Sequence, residues 1–256
     1  MGIHESAGRL TSGFDNTNAT TSAFVRGVTS LLKDIEYRRC ESGEDMEDIY
    51  RLRYSSYLAA GMIGPHDSRM IRDDLDESPN SYRFGVYFEG NLVSTLRLHY
   101  ISADFPDAPS VRVFKDALMP RLDAGETFID PSRFAADAQW ASTLRVLPYI
   151  TLRLAMVARH YFNPSAILTA IKEEHAGFYK RIFESETVVE ARTYPGLKMP
   201  VILYQSRCPE PLASVEARYP FFRSSPVERR LLFERSQQAR LSLTVLPTAK
   251  YSRIAA

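Results

Sequence analysis

Cysteine is scarce in this chain: 256 residues hold two, Cys40 and Cys208, with no CxxC pair. There is no disulfide framework and no cysteine-rich zinc site to build, and two reduced thiols are expected. Net charge is also nearly missing, because 32 basic side chains meet 31 acidic ones for a formal +1. Nothing in that balance asks for a nucleic-acid partner. No apolar run approaches the roughly 20 residues needed to span a bilayer. The first 25 residues lack the apolar core of a signal peptide, so a cytoplasmic protein is expected. In that compartment the Asn18-Ala19-Thr20 sequon reads as chance. No internal repeat suggests a solenoid. What is present is ordinary for a globular protein, 45% hydrophobic and 25% charged residues, at a length that suits one large domain or one with an appendage.

Along the chain, residues 1–22 are rich in Ser, Thr, Gly and Asn and read as disordered. Ala23–Lys33 suits a short helix and Ile35–Cys40 a first strand. From Glu44 to Ala60, Met46, Ile49, Tyr50, Tyr54, Tyr57 and Leu58 recur at helical spacing, and Gly61 and Gly64-Pro65 end the helix. Tyr82–Phe88 and Leu92–Tyr100 flank Glu89-Gly90-Asn91, a hairpin signal. A long connection with Pro106, Pro109 and Pro120 leads to a strand over Glu126–Phe134. Then come an apolar helix (Pro148–Phe162), a buried strand (Ala166–Ile171), a helix (Glu173–Phe183) and two strands, around Thr187–Tyr194 and Met199–Ser206. The order β-α-β-β-β-α-β-α-β-β predicts an α/β fold with a mixed, largely antiparallel central sheet flanked by helices. The division expected is a main domain over 23–208 and a basic, helical C-terminal extension over 209–256. That extension has eight basic residues against four acidic ones. Pro226–Leu241 reads there as an amphipathic helix, either solvated on the domain or offering a basic surface to an acidic partner.

Chemistry concentrates in four short runs. Arg97 in Ser94-Thr95-Leu96-Arg97 and Arg133 in Asp130-Pro131-Ser132-Arg133-Phe134 are guanidiniums inside strand-like, apolar stretches. Such a group is costly to bury unless it meets a carboxylate or an anionic ligand. Asp73-Asp74-Leu75-Asp76 offers carboxylates, and the preceding helix carries Arg53 and Tyr57. Together they predict one polar cleft. Proline inside a strand is tolerated mainly at an edge or bulge, so Pro131 suggests a distortion that redirects the side chains after it. In a regular strand Asp130 and Ser132 would share a face and Arg133 would point away. Arg97 shares its face with Thr95 and His99, the latter read as a satisfied sheet histidine. Ser132 lacks a Gly-x-Ser-x-Gly elbow and reads as a hydrogen-bonding residue.

These runs resemble, in order, the motifs of the acyl-homoserine-lactone synthases and, more closely, the long-chain N-acyl amino acid synthases. Both are similar in fold to the GCN5-related N-acetyltransferases. The carriers are Arg53 with Tyr57, Asp73 with Asp76, the Ser94–Leu98 strand and Asp130–Phe134. Glu174–Tyr179 with Phe183 looks like that fold's C-terminal helix. Departures favour the acyl amino acid branch: Ile63 and Ile71 stand where autoinducer synthases usually carry tryptophan and glutamate, and Asp130 stands for glutamate.

The resemblance implies an N-acyltransferase joining a fatty acyl group to the amino group of an amino acid by direct attack. Asp73, Asp76, Arg97, Asp130, Ser132 and Arg133 would organise catalysis, and Arg53, Tyr57, Arg145 and Phe178 would contact substrates. Arg97 or Arg53 would meet the amino acid's carboxylate. No cofactor or metal is implied beyond an acyl-thioester co-substrate. The donor is expected on an acyl carrier protein, because Ala135–Pro148 has no glycine to form the pyrophosphate-cradling turn of coenzyme A-dependent relatives; acyl-coenzyme A is the alternative. Arg145, Arg153 and the basic tail would face the acidic carrier, and the apolar helix with Phe178 would line an acyl tunnel. Peripheral membrane contact stays open. The rival readings are an autoinducer synthase using S-adenosylmethionine and a non-catalytic carrier- or lipid-binding module.

Overall fold

The computed structural model describes residues 14–194, 196–235 and 243–251, with the backbone alone for 14–22. In chain order the elements are α1 (Phe14–Leu31), β1 (Ile35–Arg39), α2 (Glu44–Ala59), β2 (Ser81–Phe88), β3 (Asn91–Ile101), α3 (Pro109–Val113) and α4 (Lys115–Asp123). There follow β4 (Phe128–Ala136), α5 (Ala138–Thr143), α6 (Leu147–Phe162), β5 (Ala166–Ile171), α7 (Ala176–Phe183), β6 (Glu186–Thr193) and β7 (Pro200–Arg207). The last are α8 (Leu212–Arg218), α9 (Pro226–Phe233) and β8 (Thr244–Val245). The strands form one sheet in the order β6-β7-β5-β4-β3-β2-β1-β8. Every pairing is antiparallel except β4 with β5.

The β2–β3 hairpin follows from its turn. Glu89 and Gly90 both take positive φ (49° and 78°), the handedness that matches the twist of the flanking strands. Alternation along the central strands then sorts side chains to two faces. Leu96, Leu98, Ile129 and Ile167 bury under α1 and α6, with Val28, Leu32, Ile150 and Leu154. Phe128, Leu168 and Leu203 bury on the other face with Val111, Phe114, Leu118 and Leu122 of the α3–α4 region. That region was expected as a plain connection. Its helices are short, one beginning at Pro109 and the other holding Pro120 inside it, so helical periodicity had too few turns to show.

The N-terminal helix begins at Phe14 rather than Ala23, so the expected disordered segment gives way there; the remainder of it, residues 1–13, lies outside the described residues. The segment after Pro209 is not laid on the surface. Leu212, Val215, Phe221, Phe222, Leu232, Phe233 and Val245 join the same core as α6, and β8 pairs with β1 at the sheet edge. On α9, Leu232 and Phe233 are buried while Val227 and Leu231 are exposed. The expected end of that helix at Leu241, with Arg240 and Arg253, lies outside the described residues.

Arg153 ties this segment to α6. The side chain is fully buried and donates through Nη2 to Glu228 at 3.0 Å, with Nη1 on the other carboxylate oxygen. Its Nε–H donates to the Phe221 carbonyl at 2.7 Å. Glu228 also accepts from the Thr248 backbone at 2.9 Å. Arg153 therefore faces inward and does not offer its charge to a carrier protein, correcting the sequence expectation. α6 buries a second cation as well, Arg159, paired with Glu216 at 2.9 Å.

Candidate active site

The two strands that run parallel diverge almost at once. β4 and β5 pair only at Phe128–Ala166 and Ile129–Ile167, and from Asp130 onward the β5-facing edge of β4 has no partner in the sheet. A cavity of about 190 Å³ occupies the gap, walled by Asp130–Phe134 on one side and Thr169–Lys172 on the other. Leu96, Leu152, Tyr179, Val201 and Tyr194 complete much of its lining. A smaller void continues past Pro131, Leu152 and Tyr179 toward Ala155, Met156 and Phe183, between α6 and α7.

Pro131 does mark a distortion. Thr95 pairs with Ala135 but Arg97 pairs with Ser132, so β4 carries one residue more than β3 between the same two rungs. Arg133 takes up the difference with φ 54°, a left-handed backbone uncommon for a residue with a side chain. In a flat strand Arg133 would point away from its neighbour's face. The bulge lets it reach Asp73 through Nη2 at 2.5 Å while Ser132 Oγ accepts from Arg97 Nε at 3.1 Å.

Around these groups lies a buried ionic network. Arg53 on α2 is fully buried and donates through Nη1 to both oxygens of Asp76, at 2.9 and 3.0 Å. Arg97, also fully buried, bonds Asp73 and sits 3.1 Å from Asp76. The Asp73 backbone N–H donates to Asp76 Oδ2 at 3.1 Å, so the aspartate loop caps itself as well as holding arginines. Burial by itself would raise the Asp73 carboxyl. The hydrogen bonds and charges of Arg97 and Arg133 outweigh it and hold the group well below the usual carboxylate range. Arg53, the candidate for a substrate's carboxylate, is closed in against Asp76 through Nη1, while its Nε and Nη2 are buried without a hydrogen-bond partner among the described residues; the surface pair along α2 is made by Arg51 with Glu47.

Asp130 stands apart from the arginines. Its carboxylate accepts from the backbone N–H and the hydroxyl of Ser110, at 2.8 and 2.7 Å, and it lines the cavity. Burial pushes its pKa up to about 6, against the pull of the Ser110 bonds. His99 is driven the other way, down to about 3, by burial and then by Arg97. It is neutral and donates Nε2–H to the Leu75 carbonyl at 3.2 Å. It is a structural histidine, as its place in the sheet suggested.

The structure thus brings Asp73, Asp76, Arg97, Ser132, Arg133 and Arg53 into one network, and Asp130, Ser132, Arg133 and Tyr57 to one cavity wall. Two expected substrate contacts are elsewhere. Arg145 is exposed in the turn before α6. Phe178 packs among Tyr149, Tyr179 and Phe183, outside the cavity; its neighbour Tyr179 faces the cavity instead, one helical step round. Sequence reading missed Ser110, Tyr179 and Tyr194. Ser110 had only Pro109 as a helix-start signal, and nothing local tied it to Asp130. Among the described residues no three His, Cys, Asp or Glu side chains converge as metal ligands, and no helix is long and apolar enough to cross a membrane.

A sheet that splays between one parallel pair around an acid-lined cavity defines an acyltransferase of the N-acetyltransferase-like fold. The solved structure of FeeM, an N-acyl amino acid synthase from uncultured soil microbes, is similar over 68% of this chain and 92% of that one, with TM-score 0.57 and 16% identity. The coenzyme A-dependent acyl-homoserine lactone synthase MesI (TM-score 0.49, 16% identity, 69% and 88% covered) and the AHL synthase LasI (0.49, 12%, 68% and 89%) are also similar. No curated protein matches the sequence. The family described as N-acyl amino acid synthase FeeM matches residues 48–207, and the chain belongs to that family. It is an enzyme that transfers acyl groups.

Proposed function

We propose that the enzyme joins a fatty acyl group, delivered as a thioester on an acyl carrier protein, to the amino group of a free amino acid. The observation that carries this reading is Asp130: a buried carboxyl with its pKa raised to about 6, on the wall of a cavity that opens where β4 leaves β5. The acyl chain would run along the apolar lining toward Leu152, Ala155 and Met156. Positioning supplies much of the rate, because amine and thioester no longer have to find each other. Asp130, ionised above about pH 6, takes the ammonium proton directly or through a water. The free amine then attacks the thioester carbon. A C–N bond forms, the C–S bond breaks, and the thiolate leaves, to be protonated from the amine. Unpaired backbone along the β5-facing edge of β4 offers N–H groups to the oxyanion. Arg53, Arg97 and Arg133 with Asp73 and Asp76 set the floor of the site rather than perform the proton transfer.

Purified protein given acyl carrier protein or coenzyme A thioesters and a panel of amino acids tests this by mass spectrometry. N-acyl amino acids formed faster from the carrier thioester, and lost in Asp130→Asn, are expected. Faster turnover of acyl-coenzyme A would overturn the donor assignment. Lactone formed from S-adenosylmethionine, with no acyl amino acid, would overturn the acceptor class. The positions of Ile63 and Ile71, where autoinducer synthases usually carry tryptophan and glutamate, lie together in one hollow beside the cavity, and two apolar side chains there suit a different amine.

A further inference from the structure

Beyond Arg133 a second, more open hollow of about 510 Å³ begins. Arg133 and Leu197 line both spaces, so the hollow adjoins the cavity across these two side chains, on the side where Asp130 stands. Resting on the acyltransferase reading, we propose that this hollow receives the acceptor and selects one with two carboxylates, a dicarboxylic amino acid.

The first carboxylate is called for by an unpaired donor. Arg53, Arg97 and Arg133 bond Asp73 and Asp76, and Asp130 adds a third carboxylate in the field of Arg97. Arg133 is the member that borders both spaces, and its Nε is buried without a hydrogen-bond partner among the described residues. An α-carboxylate beside Arg133 would bring its amine to the cavity side.

The second carboxylate is called for by the rim. The ionisable side chains lining the hollow are His66, Arg72, Arg133 and Lys198, and no aspartate or glutamate lines it. Arg72 and Lys198 come from two separate loops, and backbone hydrogen bonds fix both. Ile71 N–H donates to Tyr50 O at 3.0 Å, and Lys198 N–H donates to Met62 O at 3.2 Å. Two long cations held at one mouth favour an incoming anion and disfavour a cationic side chain. The same positive field lowers the pKa of the bound ammonium, which assists its loss of a proton to Asp130.

The experiment compares kcat/KM for glutamate, aspartate, glutamine, asparagine, leucine and tyrosine, using the full chain and dodecanoyl-acyl carrier protein. It is repeated in the double variant Arg72→Gln/Lys198→Gln, with a thermal melt to confirm folding. The wild type is expected to prefer glutamate or aspartate over its amide by about tenfold, the scale of two exposed ion pairs acting together. The double variant should bring that ratio close to one. Preference for glutamine, leucine or tyrosine in the wild type would overturn the proposal, as would a ratio unmoved by the substitutions. A double variant whose KM rises for the thioester rather than the amino acid would assign the hollow to the donor's phosphate, and also overturns it. If no amino acid is acylated at all, the proposed acylation of a free amino acid itself fails, an outcome distinct from acylation of the wrong ones.

Discussion

Removing Asp76 should harm the protein far more than removing Arg53, although the two form one ion pair. In Asp76→Asn, three buried guanidiniums are left with the single carboxylate of Asp73. Breaking a buried pair from one side costs about 3–5 kcal/mol, because the remaining charge stays desolvated. In Arg53→Met the count becomes two guanidiniums to two carboxylates. Asp76 keeps Arg97 at 3.1 Å and the Asp73 N–H at 3.1 Å, and methionine fills much of the space left by the arginine stem. That change should lie within about 1.5 kcal/mol of the parent, as volume-conserving swaps do. Burial, opposed by Asp76 but joined by Arg97 and Arg133, already depresses the Arg53 pKa. At roughly 2–4 °C per kcal/mol for a chain of this size, Asp76→Asn should melt about 6–20 °C below the parent. Arg53→Met should stay within about 6 °C by the same conversion. Scanning calorimetry with urea unfolding reads both. Equal losses in the two variants, or a larger loss in Arg53→Met, would refute the charge count.

Four further outcomes follow from the structure. If Asp130 takes the proton, kcat/KM should climb about tenfold per pH unit in acid and level above about 6. Asp130→Asn should flatten that limb and lower the rate about 10²–10⁴-fold. Linkage gives this group the opposite sign from Asp73. Asp130 holds its proton more tightly folded than unfolded, so its stabilisation is full below about 3.9 and lost as pH rises through about 6. Asp73, depressed in the fold, stabilises above about 3.9 and loses that contribution in acid, so Asp73→Asn should blunt acid denaturation. Burial pushes the Cys40 thiol up to about 12 and the half-buried Cys208 up to about 11. Ellman's reagent at pH 7.5 should therefore find both slow in the native enzyme and both fast in guanidinium. Glu228→Ala leaves Arg153 buried without its carboxylate, and a loss of about 3–5 kcal/mol is expected in urea unfolding.

The parts of this fold that spoke in the sequence were those with long periodic runs. The α2 and α6 helices, the β2–β3 hairpin and the β5–β7 strands lie within a residue or two of their predicted bounds. Pairing between distant residues was not legible. Arginine and aspartate runs announced a cleft, but nothing assigned Arg53 to Asp76 rather than to solvent. The bulge was foreshadowed by Pro131, while the turn of Arg133 into the network depended on its φ, which no spacing reveals. The C-terminal stretch misled because composition reports charge without partners. Two of its four glutamates, Glu216 and Glu228, are engaged with Arg159 and Arg153, so the tail is anchored by the very residues that seemed only to dilute its basicity.

That anchoring has a consequence for synthesis. Domains usually assemble as they leave the ribosome, at about 5–20 residues per second. Here α6 keeps a naked guanidinium until Glu228 emerges, and β1 keeps one bare edge until Val245 does. Until they emerge, the nascent chain would expose the aromatic surface that later meets Phe221, Phe222 and Phe233. Closure of this part of the core thus waits for the segment after Pro209, and a chaperone that shields α6 meanwhile would raise the yield of folded enzyme more than one acting on the hairpin.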